Sequence, residues 1–192
     1  EALSTAQIVA LGTSQIVALT SDQLNAMESV DLQALTTVQV KSLLTAQLSA
    51  IDTAQLNYLK TNQIQALSTG QIIGLTSDQI NNLDSDDLQA LTTAQVRALT
   101  TLQVSNLSST QAALLESRDV AVLTSAQAAV LSTDALVALT TAQAAALTTA
   151  ALNALTSDQV GAIATDDLAA LTTAQINKLS TLQLSRLTTD QI

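Results

Sequence analysis

Apolar and polar positions recur along this chain with a period of eight residues. With Leu3 as position 1, the frame runs to Ile192 without insertion or deletion, giving twenty-four units, the last ending at position 6. Position 1 is always Leu, Met or Ile, position 6 is always aliphatic (Ile8 to Ile192), and position 8 is most often Ala. Position 3 is Ser or Thr in all twenty-four units. Position 5 is Gln in eighteen, Asp in four (Asp31, Asp87, Asp119, Asp167) and Ala in two (Ala135, Ala151). Positions 2, 4 and 7 vary, so the consensus is Leu-Thr-Thr-x-Gln-(Ile/Val/Leu)-x-Ala.

Three elements compete for this pattern. In one continuous helix, eight residues at about 100° each carry the apolar stripe ~80° further round per unit, and no lasting seam forms. A β-strand puts positions 1 and 6 on opposite faces, and four glycines are too few for the corners of a β-solenoid. Short helices remain, and Ala, Leu and Gln favour them. The charges agree. Fifteen of the sixteen acids lie at positions 2, 4 or 5, Glu1 being the other, and four of the six bases (Lys41, Arg97, Lys178, Arg186) lie at positions 7 or 8. Acids in a first turn and bases in a last turn suit a helix dipole. The expected fold is therefore all-α: a solenoid or superhelix of very short helices, one per eight-residue repeat, with 1–192 as a single continuous array.

Each helix is expected to span about five to seven residues, too short to persist alone in water. Stability then comes from neighbours that bury positions 6 and 1. Two local questions stay open. Position 2 is Ser, Thr, Asp or Gly in nineteen units and makes a capping box with Gln at position 5, yet the constant hydroxyl at position 3 is a rival cap. Gln at position 5 reads either as a local cap or as a ladder bonding one coil to the next. Ala at position 8 lets adjacent helices approach closely.

Composition narrows the interior. Hydrophobic residues make up 47% of the chain, but there is no Phe or Trp and the single aromatic is Tyr58, which fits a thin core shared between small units. The net charge of −10, with bases spread singly, disfavours nucleic acid and anionic lipid. No apolar run is long enough to span a membrane. Cysteine is absent, so disulfides and thiolate metal sites are excluded. The chain opens on Glu1 without Met or signal peptide, which reads as a processed or excised piece.

A longer repetition overlies the octads. Residues 75–107 and 155–187 are near copies ten octads apart, and a third copy begins at Leu19, seven octads before Leu75. These spacings share no common divisor above one octad, so one octad is the expected structural step. Neither end carries a polar capping unit, which predicts a longer array or ends that stack on further copies.

With no His or Cys, catalytic triads and imidazole or thiolate metal sites are excluded, and no base stands near a Ser or Thr hydroxyl to activate it. No cofactor is expected. Paired carboxylates are the one remaining chemistry. Asp84, Asp86 and Asp87, and Asp166 and Asp167, are weak Ca²⁺ candidates, since that ion takes six to eight oxygens. The competing reading is that these acids decorate helix N-termini. Asn106-Leu107-Ser108 matches the glycosylation sequon, and Tyr58 stands where Ala is usual, as a surface bump or a contact point.

Stretches such as LTTAQVRALTTLQV and LSTAQIVAL resemble octapeptide arrays of very large secreted or surface-displayed bacterial repeat proteins, often called adhesin-like. The resemblance covers the whole chain and implies an extracellular scaffold, stalk, surface-layer element or filament subunit. LTTAQVRAL also resembles the opening of TAL-effector repeats, but those units are far longer and basic on their DNA face, so the likeness is one of helix-cap grammar. The expected function is non-enzymatic and structural, at the cell surface or outside the cell, with self-association into filaments or arrays. The alternative is a repetitive binding module for glycan, Ca²⁺ or a protein partner in adhesion.

Overall fold

The computed structural model describes residues 3–192; Glu1, the acid outside the periodic pattern, lies outside the described residues. Among the described residues the protein is all-α: twenty-three helices of four to six residues, from α1 (Thr5–Val9) to α23 (Thr181–Leu184), then a 3-10 turn at Thr189–Gln191. Every one of these elements opens at position 3 of its octad. The helices are slightly shorter than the expected five to seven residues.

The N-cap is position 2. In α5 (Thr37–Ser42), Thr36 is extended at φ −70°, ψ 155°, and its hydroxyl accepts from the Gln39 N–H at 3.2 Å. Gln39 Oε1 in turn accepts from the Thr36 N–H at 2.7 Å, closing the capping box. Leu44 and Lys60 at position 2 have no hydroxyl to offer, but the other half of the box survives: their N–H groups donate to Gln47 and Gln63 Oε1 at 2.8 and 2.6 Å. This explains how position 2 can lose its hydroxyl where Gln holds position 5.

The helix C-termini are unusual. No described residue has positive φ, so none of these helices ends in the left-handed turn that commonly satisfies last-turn carbonyls. Instead, position 1 is often extended: Leu43, at φ −57°, ψ 135°, returns its N–H to the Val40 carbonyl at 3.2 Å. Where the chain makes this exit, two extended residues join one helix to the next, which is why the array needs neither proline nor regularly placed glycine. The cost is a set of C-terminal carbonyls without a local donor.

Positions 6 and 1 form the core, as in Val40, Leu43, Leu48, Ile51, Ile72 and Leu75, all buried. The chain divides into two compact bodies, Glu1–Ala98 and Leu99–Ile192. Within each, helices pack three apart: α2 (Thr13–Ala18) on α5 and α6 (Thr45–Ala50) on α9 (Thr69–Gly74) in the first, α14 (Ser109–Leu114) on α17 (Thr133–Val137) and α16 (Ser125–Ala129) on α19 (Thr149–Ala154) in the second. Each body is thus a repeat solenoid.

Candidate functional site: the glutamine ladder

The position-5 side chain carries the distinctive chemistry, because its amide works in two directions. While Oε1 caps its own helix, Nε2 points to the coil beneath. Gln39 Nε2 donates to the Ile8, Val9 and Leu11 carbonyls at 3.0, 3.2 and 2.9 Å, residues 31, 30 and 28 positions earlier. Gln71 Nε2 reaches the Val40 and Leu43 carbonyls at 3.0 and 2.8 Å, and Gln79 Nε2 those of Leu48 and Ile51 at 2.7 Å each. The second body repeats the offsets: Gln183 Nε2 bonds the Leu152 and Leu155 carbonyls at 3.0 and 2.7 Å, and Gln143 Nε2 bonds those of Ala112 and Leu115. These acceptors are the carbonyls that the helix ends leave open. Each of these glutamines therefore N-caps its own helix and C-caps the helix four units back.

The two sequence readings of Gln at position 5, local cap and inter-coil ladder, are both correct. Because helices pack on the third neighbour and glutamines reach the fourth, one superhelical turn takes between three and four octads.

Position 3 is exposed in most units, but at several of them it meets the unit three further on. Thr45 packs so closely on Gly74 that a Cβ there would stand 2.9 Å from the Thr45 Cβ. Thr5 Oγ1 donates to Asp31 Oδ1 at 2.7 Å, and Ser125 Oγ donates to the Ala150 carbonyl at 3.2 Å. Gly74 occupies position 8, so the expectation that a small residue there permits close approach holds at this contact.

Sequence reasoning missed a second cross-coil link made by asparagine at position 7. Asn25 Nδ2 donates to the Ala50 carbonyl at 3.1 Å while its Oδ1 accepts from the Asp52 N–H at 2.9 Å. Asn57 Nδ2 likewise donates to the Asn82 carbonyl at 2.6 Å. At α7 (Thr53–Leu56) this displaces the capping box: Gln55 Nε2 still bonds the Asn25 carbonyl at 2.7 Å, but its Oε1 is buried without a partner. The recurrence of Asn 27 residues before each position-2 aspartate was readable in the sequence, but only once the coil length is known.

A family model for the ALTTAQ repeat matches residues 1–27, 24–59, 48–85, 80–115, 112–149 and 160–192. The chain belongs to the ALTTAQ repeat family. No curated protein matches it. The ALTTAQ unit as read from this structure is a capped helix of four to six residues and two to four linking residues, with an inter-coil amide where position 5 is Gln in the upper coils.

The Ca²⁺ candidates are spread across different environments. In α11 (Ser85–Gln89), Asp84 is the exposed N-cap and Asp86 is exposed, whereas Asp87 is buried beside Thr61. In α21 (Thr165–Ala169), Asp166 is exposed and Asp167 buried. Among the described residues no group of three or more His, Cys, Asp or Glu is placed to hold a metal ion. Burial raises the Asp87 carboxyl above its ordinary range against the opposing influence of the nearby Thr61 hydroxyl, and Asp84 and Asp86 push the same way as burial. Burial likewise raises Asp119, whose Oδ1 is buried without a hydrogen-bond partner. Asn106 of the sequon donates to the Leu102 carbonyl at 2.7 Å, ending α13 (Thr101–Ser105), and Tyr58 is an exposed surface residue. No helix among the described residues is long and apolar enough to cross a membrane.

Proposed function

We propose that this ALTTAQ array is a non-enzymatic structural element: an extracellular or cell-surface scaffold, stalk, surface-layer or filament subunit that associates with itself. The observation that carries the reading is the ladder. The repeated polar group, the position-5 amide, is spent on joining one coil to the next through backbone carbonyls, which every residue possesses. Such a joint extends without regard to sequence, the property a spacer or filament needs. Stability grows by addition of neighbour contacts, and a heterologous contact that never closes yields a fibre. The resemblance to adhesin-like octapeptide arrays supports the surface setting.

Negative-stain microscopy and sedimentation across a hundredfold range of concentration test the proposal. Rods that lengthen with concentration are the expected result. Short discrete particles of constant length, together with saturable binding to a glycan array, would overturn self-association in favour of a binding module.

A further inference from the structure

The ladder is half-made on two faces. In the body Glu1–Ala98, Gln7, Gln15 and Gln23 cap their own helices, accepting from the Ser4, Gly12 and Thr20 N–H groups at 2.8, 2.9 and 2.8 Å. Among the described residues no carbonyl meets their Nε2 groups, and all three residues are exposed. Gln39, Gln47 and Gln63, whose amides reach the coil below, are buried. In the body Leu99–Ile192, Gln175, Gln183 and Gln191 donate to the Leu147, Leu155 and Ile163 carbonyls at 2.7 Å each. The next carbonyls of that series, those of Leu171, Leu179 and Leu187, accept from no donor among the described residues.

Apolar surface is open on the same two coils. Leu3, Leu11, Leu19 and Met27, the position-1 residues of the first coil, line a groove of about 350 Å³ together with Gln23 and Glu28. Leu3 is 43% exposed, against 4% for Leu35 and Leu43. In the last coil Leu184 and Ile192, at position 6, are exposed, where Leu48 and Ile72 are fully buried.

We propose that these two faces join in trans: the first coil of one copy seats on the last coil of another, head to tail, with Gln7, Gln15 and Gln23 donating to the Leu171, Leu179 and Leu187 carbonyls. Three donors eight residues apart meet three acceptors eight residues apart, so the joint continues the coil-on-coil contact made inside each body. Its polarity follows from the chemistry. Two first coils would set amide donors against amide donors, and two last coils would set carbonyl against carbonyl. The mixed pair satisfies both faces, and a heterologous contact of this kind propagates. This inference rests on the self-association proposed above and names its joint.

Sedimentation velocity and negative-stain microscopy of the full chain test it. In Gln7→Glu/Gln15→Glu/Gln23→Glu each carboxylate can still cap its helix, but it presents charge and no donor to the facing carbonyls. This variant should need at least about tenfold more protein than wild type to form the same rods. A control adding as many acids at exposed position-4 sites, Asn62→Asp/Ala94→Asp/Ala142→Asp, should assemble as wild type does. Polarity is read separately, since the chain holds no cysteine. Gly74 packs on Thr45, 29 residues back, and the same register across the joint pairs Ala10 of one copy with Thr173 of another. A mixture of Ala10→Cys and Thr173→Cys chains should give disulfide-linked mixed dimers under mild oxidation, and neither chain alone should. A wild-type chain that stays single at every concentration would overturn self-association and the joint with it. Rods that the triple glutamate variant forms as readily as wild type, or links between two Ala10→Cys chains in place of mixed ones, would overturn the joint alone. If the triple variant fails to fold, the cysteine mixture still decides.

Discussion

Gln71 offers the cleanest measurement of what one rung contributes. It is 4% exposed, accepts from the Ser68 N–H at 2.8 Å, and donates to the Val40 and Leu43 carbonyls at 3.0 and 2.8 Å. Gln71→Met keeps most of the volume and removes both functions. Ser68 is exposed and its N–H can turn to water, and the Val40 carbonyl retains the Leu43 N–H at 3.2 Å. The Leu43 carbonyl, buried with its residue at 4% exposure, loses its side-chain donor. Leaving such a group unsatisfied costs about 1–3 kcal/mol. Gln71→Glu separates the two halves, because its carboxylate can still cap α9 but faces two carbonyls as a charge. It should be worse than Met at pH 7 and recover in acid, where a protonated carboxyl can donate.

Repeat arrays open by parts, so the assay must be local. The amides of Ile72 and Leu75, bonded to the Ser68 carbonyl at 3.0 Å and the Gln71 carbonyl at 3.2 Å, report on α9 by hydrogen exchange. The cost above predicts exchange about 5- to 150-fold faster in Gln71→Met. Unchanged exchange at both amides, or a Gln71→Glu chain indistinguishable from wild type at pH 7, would refute the ladder as a source of stability.

Other outcomes follow from the same geometry. Thr76→Ala removes the hydroxyl that accepts from the Gln79 N–H at 3.1 Å and should cost about 1 kcal/mol in chemical denaturation, whereas Lys60→Ala, at a cap without that bond, should be near neutral. Gly74→Val drives a branched side chain into Thr45, already 2.9 Å from an added Cβ, and should destabilise by about 1–3 kcal/mol, read as a lower urea midpoint. Asp119→Asn should raise the melting temperature at pH 7 and lose that advantage as pH falls through the raised carboxyl titration, because burial penalises the charged form.

Much of the fold is written in the octad itself. Positions 6 and 1 announce the core, and the Ser/Thr-x-x-Gln spacing announces where each helix begins, because caps and apolar faces act within one unit. What acts between units was harder to read. The acceptors of Gln71 lie 28 and 31 residues away and are backbone carbonyls, which leave no mark on sequence. The constant Ser or Thr at position 3 looked like a rival cap because its neighbours, such as Gly74 over Thr45, lie in another coil. The buried and exposed members of Asp86-Asp87 are likewise adjacent in sequence and separated only by the helix turn.

The rung's indifference to its partner's identity has a genetic consequence. If a whole octad is deleted or inserted, the amides of the next coil meet the equivalent carbonyls of the unit one step along, those beyond keep their partners, and the wall re-forms with no unmatched course. Near copies ten and seven octads apart are what unequal crossover would leave in a chain that heals this way. A shift of any other length would misplace the amides of the next coil, whose acceptors 28 to 31 residues back lie across the change. The ladder thus tolerates changes of length while enforcing a strict reading of eight, and the array can be re-edited without being redesigned.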